Sequence, residues 1–125
     1  MDDTVARIDE ACARDPRYRP EAYYFVLTAL EAEMLRLGER RHLTGQELSE
    51  AIRQLALNQY GLMARSVLES WGCHRTDDFG VIVYNLIDAQ VLTKTEKDSI
   101  NDFHEVYDFK QAFDEGYAPP FPSPL

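Results

Sequence analysis

The chain has 125 residues, is 45% hydrophobic and 28% charged, and carries a formal net charge of −9. That length suits one domain with a core of its own, and the excess of carboxylates repels phosphate backbones, which disfavours nucleic acid as the main partner. Two cysteines without C-x-x-C spacing, an acidic amphipathic start (MDDTVARIDE) and no apolar run near the ~20 residues of a membrane helix point to a soluble cytoplasmic protein with reduced thiols; a Cys12–Cys73 disulfide stays open on sequence alone.

Thr4 is placed to cap a first helix that runs through Arg14, with Val5, Ile8 and Cys12 on one stripe. Asp15-Pro16 ends it, because the residue before proline avoids the α region. Pro20 suits the first turn of a second helix, PEAYYFVLTALEAEMLRLG, which Gly38 closes. Ala22, Phe25, Val26, Ala29, Leu30 and Leu37 line one face of it, and Tyr23, Leu27 and Met34 widen the stripe.

After the basic turn GERRHL, Thr44-x-x-Glu47 reads as a capping box opening a third helix over about 45–60. Leu48, Ala51, Ile52, Leu55 and Ala56 form its inner face. Leu57 lies about 180° from Leu48 by the helical period, so the helix is either sandwiched or presents Leu57 to a partner. A fourth helix, LMARSVLESW, ends at Gly72. Thr76 is placed to cap a fifth, with Asp77 and Asp78 in its first turn and Phe79, Ile82, Val83, Leu86 and Ile87 as its buried stripe.

Beyond QVLTKT, Thr95-x-x-Asp98 predicts a short sixth helix, and Asp108 a seventh over FKQAFDEG. Phe109, Phe113 and Tyr117 fall four apart, as do Phe103 and Tyr107. Phe103, Phe109 and Phe113 are therefore expected to strap the helical body shut. Pro119, Pro120, Pro122 and Pro124 forbid helix in the tail and favour polyproline II. The fold expected is all-α: a compact single-domain bundle of five main helices plus short C-terminal helices over 1–117, followed by a proline-rich tail, 118–125. A small β-hairpin after Leu92, in place of helix, would give a winged-helix outline.

In such an outline the fifth helix would read DNA. Its outward residues would be Asp77, Asp78, Val81, Tyr84, Asn85 and Asp88, three carboxylates and no Arg or Lys, a poor surface for phosphate or base contact. The basic turn 36–42, with Arg36, Arg40 and Arg41, is the remaining nucleic-acid candidate. Its competing reading is solvated arginines paired with nearby carboxylates.

Catalytic and metal signatures are absent from the sequence. His42, Cys73, His74 and His104 lack repeated ligand spacing, so no metal site and no cofactor is assigned; the simpler reading puts Cys73 behind Trp71 and His74 in solvent. Glu33 falls near the middle of the second helix's apolar stripe, where a carboxylate must be paired or shift its pKa. It is the buried-charge candidate, and a structural pair with an arginine such as Arg40 is the plainer account.

The runs RYRPEAYYFVLTALE, then HLTGQELSEAIRQLALNQYGLMARSVLESWGCHRTDDFGVIVYNLIDAQVLTKTEKDSINDF, then YDFKQAF, resemble a bacterial family of conserved hypothetical proteins of planctomycete and verrucomicrobial type. The resemblance covers about 17–113. It implies a bacterial source and a single domain, and assigns no catalytic residue.

The function expected from the residues is a non-catalytic protein-interaction or regulatory module. Its partner-binding candidates are Leu57, Tyr117, Phe121, Arg40 and Arg41. A winged-helix-like nucleic-acid binder and a small enzyme or metal protein are the alternatives.

Overall fold

The computed structural model describes residues 3–96 and 98–117. Five α-helices carry the fold: α1 (Thr4–Arg14), α2 (Pro20–Leu37), α3 (Gly45–Tyr60), α4 (Ala64–Ser70) and α5 (Thr76–Asp88). Short 3-10 turns at Gly61–Met63 and Ile100–Phe103 and a π turn at Lys110–Glu115 complete it. No strand occurs among the described residues.

Local chemistry sets the helix limits. Pro20 opens α2, and Gly38, at φ +73°, ends it with its N–H on the Met34 carbonyl. The Thr44 hydroxyl accepts from Glu47 N while Glu47 returns a carboxylate oxygen to Thr44 N, the capping box read from the sequence. Arg41 adds a guanidinium to the same carboxylate. This hydrogen bond and that from Thr44 N hold Glu47 at about 2, well below an ordinary glutamate.

α2 packs across α3 and α5, and α1 lies on α5 and α2. The buried apolar residues other than Met34 form one cluster reaching from Ile8 to Phe113. Two aromatic groups organise its ends. Phe25, Tyr60 and Trp71 meet with centroids 5.4–6.0 Å apart, joining α2 to the ends of α3 and α4. Phe79 stacks on Phe109 at 5.6 Å, and Phe113 stands edge-on to both Tyr107 and Phe109.

The expected strap is present. Phe103, Phe109 and Phe113 are all buried, Phe113 completely. The Ile100–Phe103 turn wedges between α5 and α3, so close that a Cβ on Gly80 would lie 2.9 Å from the Phe103 side chain. The π turn packs on α4 and α3, tied to α4 by Arg65, which bridges Glu69 and Asp114.

Several expectations change in detail. The β-hairpin after Leu92 does not form, nor does a helix starting at Thr95. Asp98 instead closes a turn by accepting from Thr95 N, and a Ser99–Asp102 box opens the 3-10 turn. This is the chemistry anticipated for Thr95-x-x-Asp98, repeated four residues later with too little chain for a helix. The seventh helix over FKQAFDEG is a π turn whose N-terminal Asp108 carboxylate accepts from Gln111 N.

Thr76 does not cap α5 with its side chain. The Asp78 carboxylate does, accepting from His74 N and Arg75 N. The Thr76 hydroxyl points inward, fully buried, donating to the Phe103 carbonyl and accepting from Val106 N. It therefore fastens the strap rather than the helix. The four-proline tail, 118–125, lies outside the described residues.

Candidate functional site

α2 and α3 present facing alanines, and small side chains there leave space between the two helix faces. The result is a groove of about 720 Å³ with the buried Ala29 and half-buried Ala51 at its base, the exposed Ala32 beside them, and Leu55 and Leu57 along the α3 side. Tyr117 and Gly61 also line the groove, while Glu33, Arg36 and Arg53 supply charge along it.

Three residues singled out in the sequence thus converge on one surface: Leu57, Tyr117 and Glu33. Leu57 is half-buried, packing against the core on one side while lining the groove on the other. The Tyr117 ring lies beside Gly61, so close that a Cβ there would sit 3.1 Å from it. Leu62 and Met63, the next two residues after Gly61, are exposed.

Glu33 has a partner one turn on. Arg36 holds it in a two-pronged pair at 2.6 and 2.8 Å, and that guanidinium lowers its pKa despite partial burial. The pairing arginine is Arg36, because Arg40 is taken by Glu31 at 3.0 Å through both guanidinium nitrogens. Arg41 is held by Glu47 and Glu39. All three arginines of the basic turn are thereby matched to carboxylates, and Arg40 and Arg41 lie outside the groove. Phe121 lies outside the described residues.

Two of the outward residues of a DNA-reading α5, Asp78 and Asn85, are engaged within the protein. Asp78 takes the Tyr18 hydroxyl at 2.6 Å, and Asn85 donates to Asp15 and the Tyr23 hydroxyl. Asp15 is also gripped by Arg17; that hydrogen bond, with the one from Asn85, outweighs burial and holds Asp15 at about 2. This buried-edge network joins α1, α2 and α5, and sequence reading missed it because its members lie 60–70 residues apart.

Cys73 is buried, and burial pushes its thiol up to about 12, which keeps it protonated and unreactive at neutral pH. Cys12 and Cys73 are both free thiols. His42 and His74 are exposed, and among the described residues no three His, Cys, Asp or Glu side chains gather as a metal site. No described helix is long and apolar enough to cross a membrane.

His104 pairs with Asp77 at 2.7 Å through Nδ1, clasping the strap to the start of α5. Asp77 is pushed upward by burial but brought below its ordinary value by His104 and the Glu105 N–H; His104 is raised by the Asp77 hydrogen bond. The histidine's contribution is present below its unfolded pKa, about 6.5, and is lost as pH rises through the raised folded value. The aspartate's contribution is present above its unfolded pKa, about 3.9, and fades as pH falls through the lowered value. The clasp is therefore strongest in mildly acidic solution. Asp77→Asn is expected to bring His104 back toward its ordinary pKa, read by NMR titration of the imidazole; an unchanged titration would show that the pair does not form in solution.

No protein-family model, curated protein or solved structure matches this chain, so the groove is interpreted from its own geometry.

Proposed function

We propose that this chain is a non-catalytic docking module whose α2–α3 groove receives an apolar segment of a partner protein. The observation that carries this reading is the convergence of Leu57, Tyr117 and Glu33 on a groove with an alanine floor. Alanines at the bottom let a partner's larger side chains descend between the helices, and Leu55 and Leu57 give them apolar walls. The Glu33–Arg36 pair offers both signs of charge beside the floor, which suits a segment with apolar anchors and a polar outer face.

The engaged α5 residues and the matched arginines of the basic turn favour this reading over nucleic-acid binding. The unreactive Cys73 thiol favours it over thiol chemistry. Two free cysteines go with a cytoplasmic location, and the resemblance to small bacterial proteins goes with a bacterial source.

Selection from a random displayed-peptide library tests the proposal. Peptides with apolar anchors at fixed spacing should be enriched on the wild-type protein. Their binding should fall by roughly tenfold or more in Leu57→Asp, and again when Ala32→Trp narrows the groove, since burying an unpaired charge or losing an anchor pocket costs on the order of 1–3 kcal/mol. Ala32 is exposed, so its replacement should leave the melting temperature in place. Peptides that bind both variants as well as wild type would refute the groove as the docking site.

A further inference from the structure

A second cavity shares no lining residue with the groove. It encloses about 150 Å³ between α2, α3, α5 and the strap. Its walls are mostly aliphatic and aromatic: Leu30, Leu48, Val83, Ile87, Leu92 and Phe103. A cavity of about this size with such walls accepts a benzene-sized molecule.

Polar side chains interrupt the apolar lining, among them Tyr84, Asp98 and Asp102. The Tyr84 hydroxyl is buried and makes no hydrogen bond. A buried hydroxyl without a partner costs on the order of 1–3 kcal/mol, so a guest that hydrogen-bonds to it is favoured over one that does not. Asp98 and Asp102 also line the cavity. Each is fixed by the strap's own backbone, Asp98 by Thr95 N and Asp102 by Ser99 N. Both act electrostatically on the tyrosine, and with burial, the larger cause, they raise its pKa. Tyr84 therefore stays a neutral phenol able to donate or accept.

Among the described residues, Lys94 and His42 also lie near the site. Lys94 stacks its ammonium over the Tyr84 ring, 5.6 Å from the centroid, and does not line the cavity. His42 lines the cavity from the loop before α3 while remaining exposed. The carboxylates oppose entry of an anion. A wholly apolar guest would fill the volume but leave the phenol unpaired. A guest with an ammonium on a benzene-sized body matches both halves: its apolar part takes the walls, and its cationic head takes the phenol oxygen and the two carboxylates.

From this charge and shape complementarity we infer that the α2–α5–strap cavity is a binding site for a small primary amine with an aromatic or compact aliphatic body. The site uses no residue of the docking groove, so either can fail without the other. Because Asp98, Asp102 and Phe103 all belong to the strap segment, an occupant would brace that segment against α5.

Titration of the full chain with 2-phenylethylamine tests this, with 2-phenylethanol and phenylacetate as neutral and anionic controls of similar shape. The amine should give saturable amide shifts centred on Val83, Tyr84, Leu92, Phe103 and the 98–102 turn, and should raise the melting temperature. The alcohol should bind more weakly, and phenylacetate not measurably. Tyr84→Phe should weaken the amine by roughly tenfold, the worth of a hydrogen bond to a charged group. Without ligand the same variant should melt no lower than wild type, because it removes an unpaired buried hydroxyl. The paired change Asp98→Asn with Asp102→Asn should abolish the preference for amine over alcohol. Absence of saturable shifts at these residues, equal binding of alcohol or phenylacetate, or undiminished amine binding by Tyr84→Phe would overturn the assignment.

Discussion

Phe113→Ala is expected to cost the protein about 3–5 kcal/mol, the range for deleting a buried aromatic ring. Phe113 has no exposed surface and touches Tyr107 and Phe109 edge-on at 5.8 and 5.1 Å. Removing it empties the centre of the aromatic group and leaves the Phe79–Phe109 stack without its backing. A domain of this size has roughly 5–15 kcal/mol of stability in total, so the urea midpoint should fall by a large fraction, if a folded state survives. Leu62→Ala, at an exposed position, is the control and should move the midpoint by no more than about 0.5 kcal/mol. A midpoint for Phe113→Ala close to that control would mean that the last turn does not pack on the core.

Gly72→Ala should cost nearly as much, by a different mechanism. Gly72 sits at φ +100°, and a Cβ there would lie 2.2 Å from the Arg17 carbonyl oxygen. That oxygen is backbone and cannot swing aside. To make room, the α1–α2 connection must move away from the end of α4, which strains the hydrogen bond from Arg19 N to the Trp71 carbonyl and the packing of Tyr18. Unfavourable φ costs on the order of 1–3 kcal/mol, and the disturbed hydrogen bond about 1 more. We expect a loss of roughly 4 kcal/mol in chemical denaturation. Gly38→Ala separates the two causes. Gly38 is also left-handed, at φ +73°, but meets nothing within 4 Å, so it should lose only the conformational part, about 1 kcal/mol. Equal losses at the two glycines would show that the contact with Arg17 is not formed.

Much of the fold was legible from local signals. Pro20 and Gly38 bracket α2, and Thr44 with Glu47 opens α3, because these residues act on backbone groups within one turn of themselves. The four-residue spacing of Phe109 and Phe113 pointed to burial for the same reason. Thr76 was harder. Its position before two aspartates reads as a cap, and the cap went instead to Asp78, three residues into the same run. What decided the matter was a carbonyl 27 residues away, which claimed the Thr76 hydroxyl.

The candidate site shows the same division. Leu57 stood out because it lies off the inner face of its own helix, and Glu33 because it interrupts an apolar stripe. That both border one groove with Tyr117 depends on how α2 crosses α3, and no periodicity within either helix encodes a crossing. Ala32 gave no warning at all, since a small residue on a polar face has no signature until another helix faces it. Tyr84 would face outward in a winged-helix outline, and Asp98, Asp102 and Phe103, which share its cavity, come from beyond the end of α5.

The strap also bears on the order in which the protein can be made. During synthesis the chain emerges from its first residue onward, and domains generally fold as units. Here α5 can be complete while the face of Phe79 that stacks on Phe109 is still bare, because its cover lies 30 residues further along. The buried Thr76 hydroxyl must likewise wait for the Phe103 carbonyl and the Val106 N–H. A chain free of the ribosome only through α5 would therefore hold its helices around an open core, and closure would follow only once the segment through Phe113 is also free.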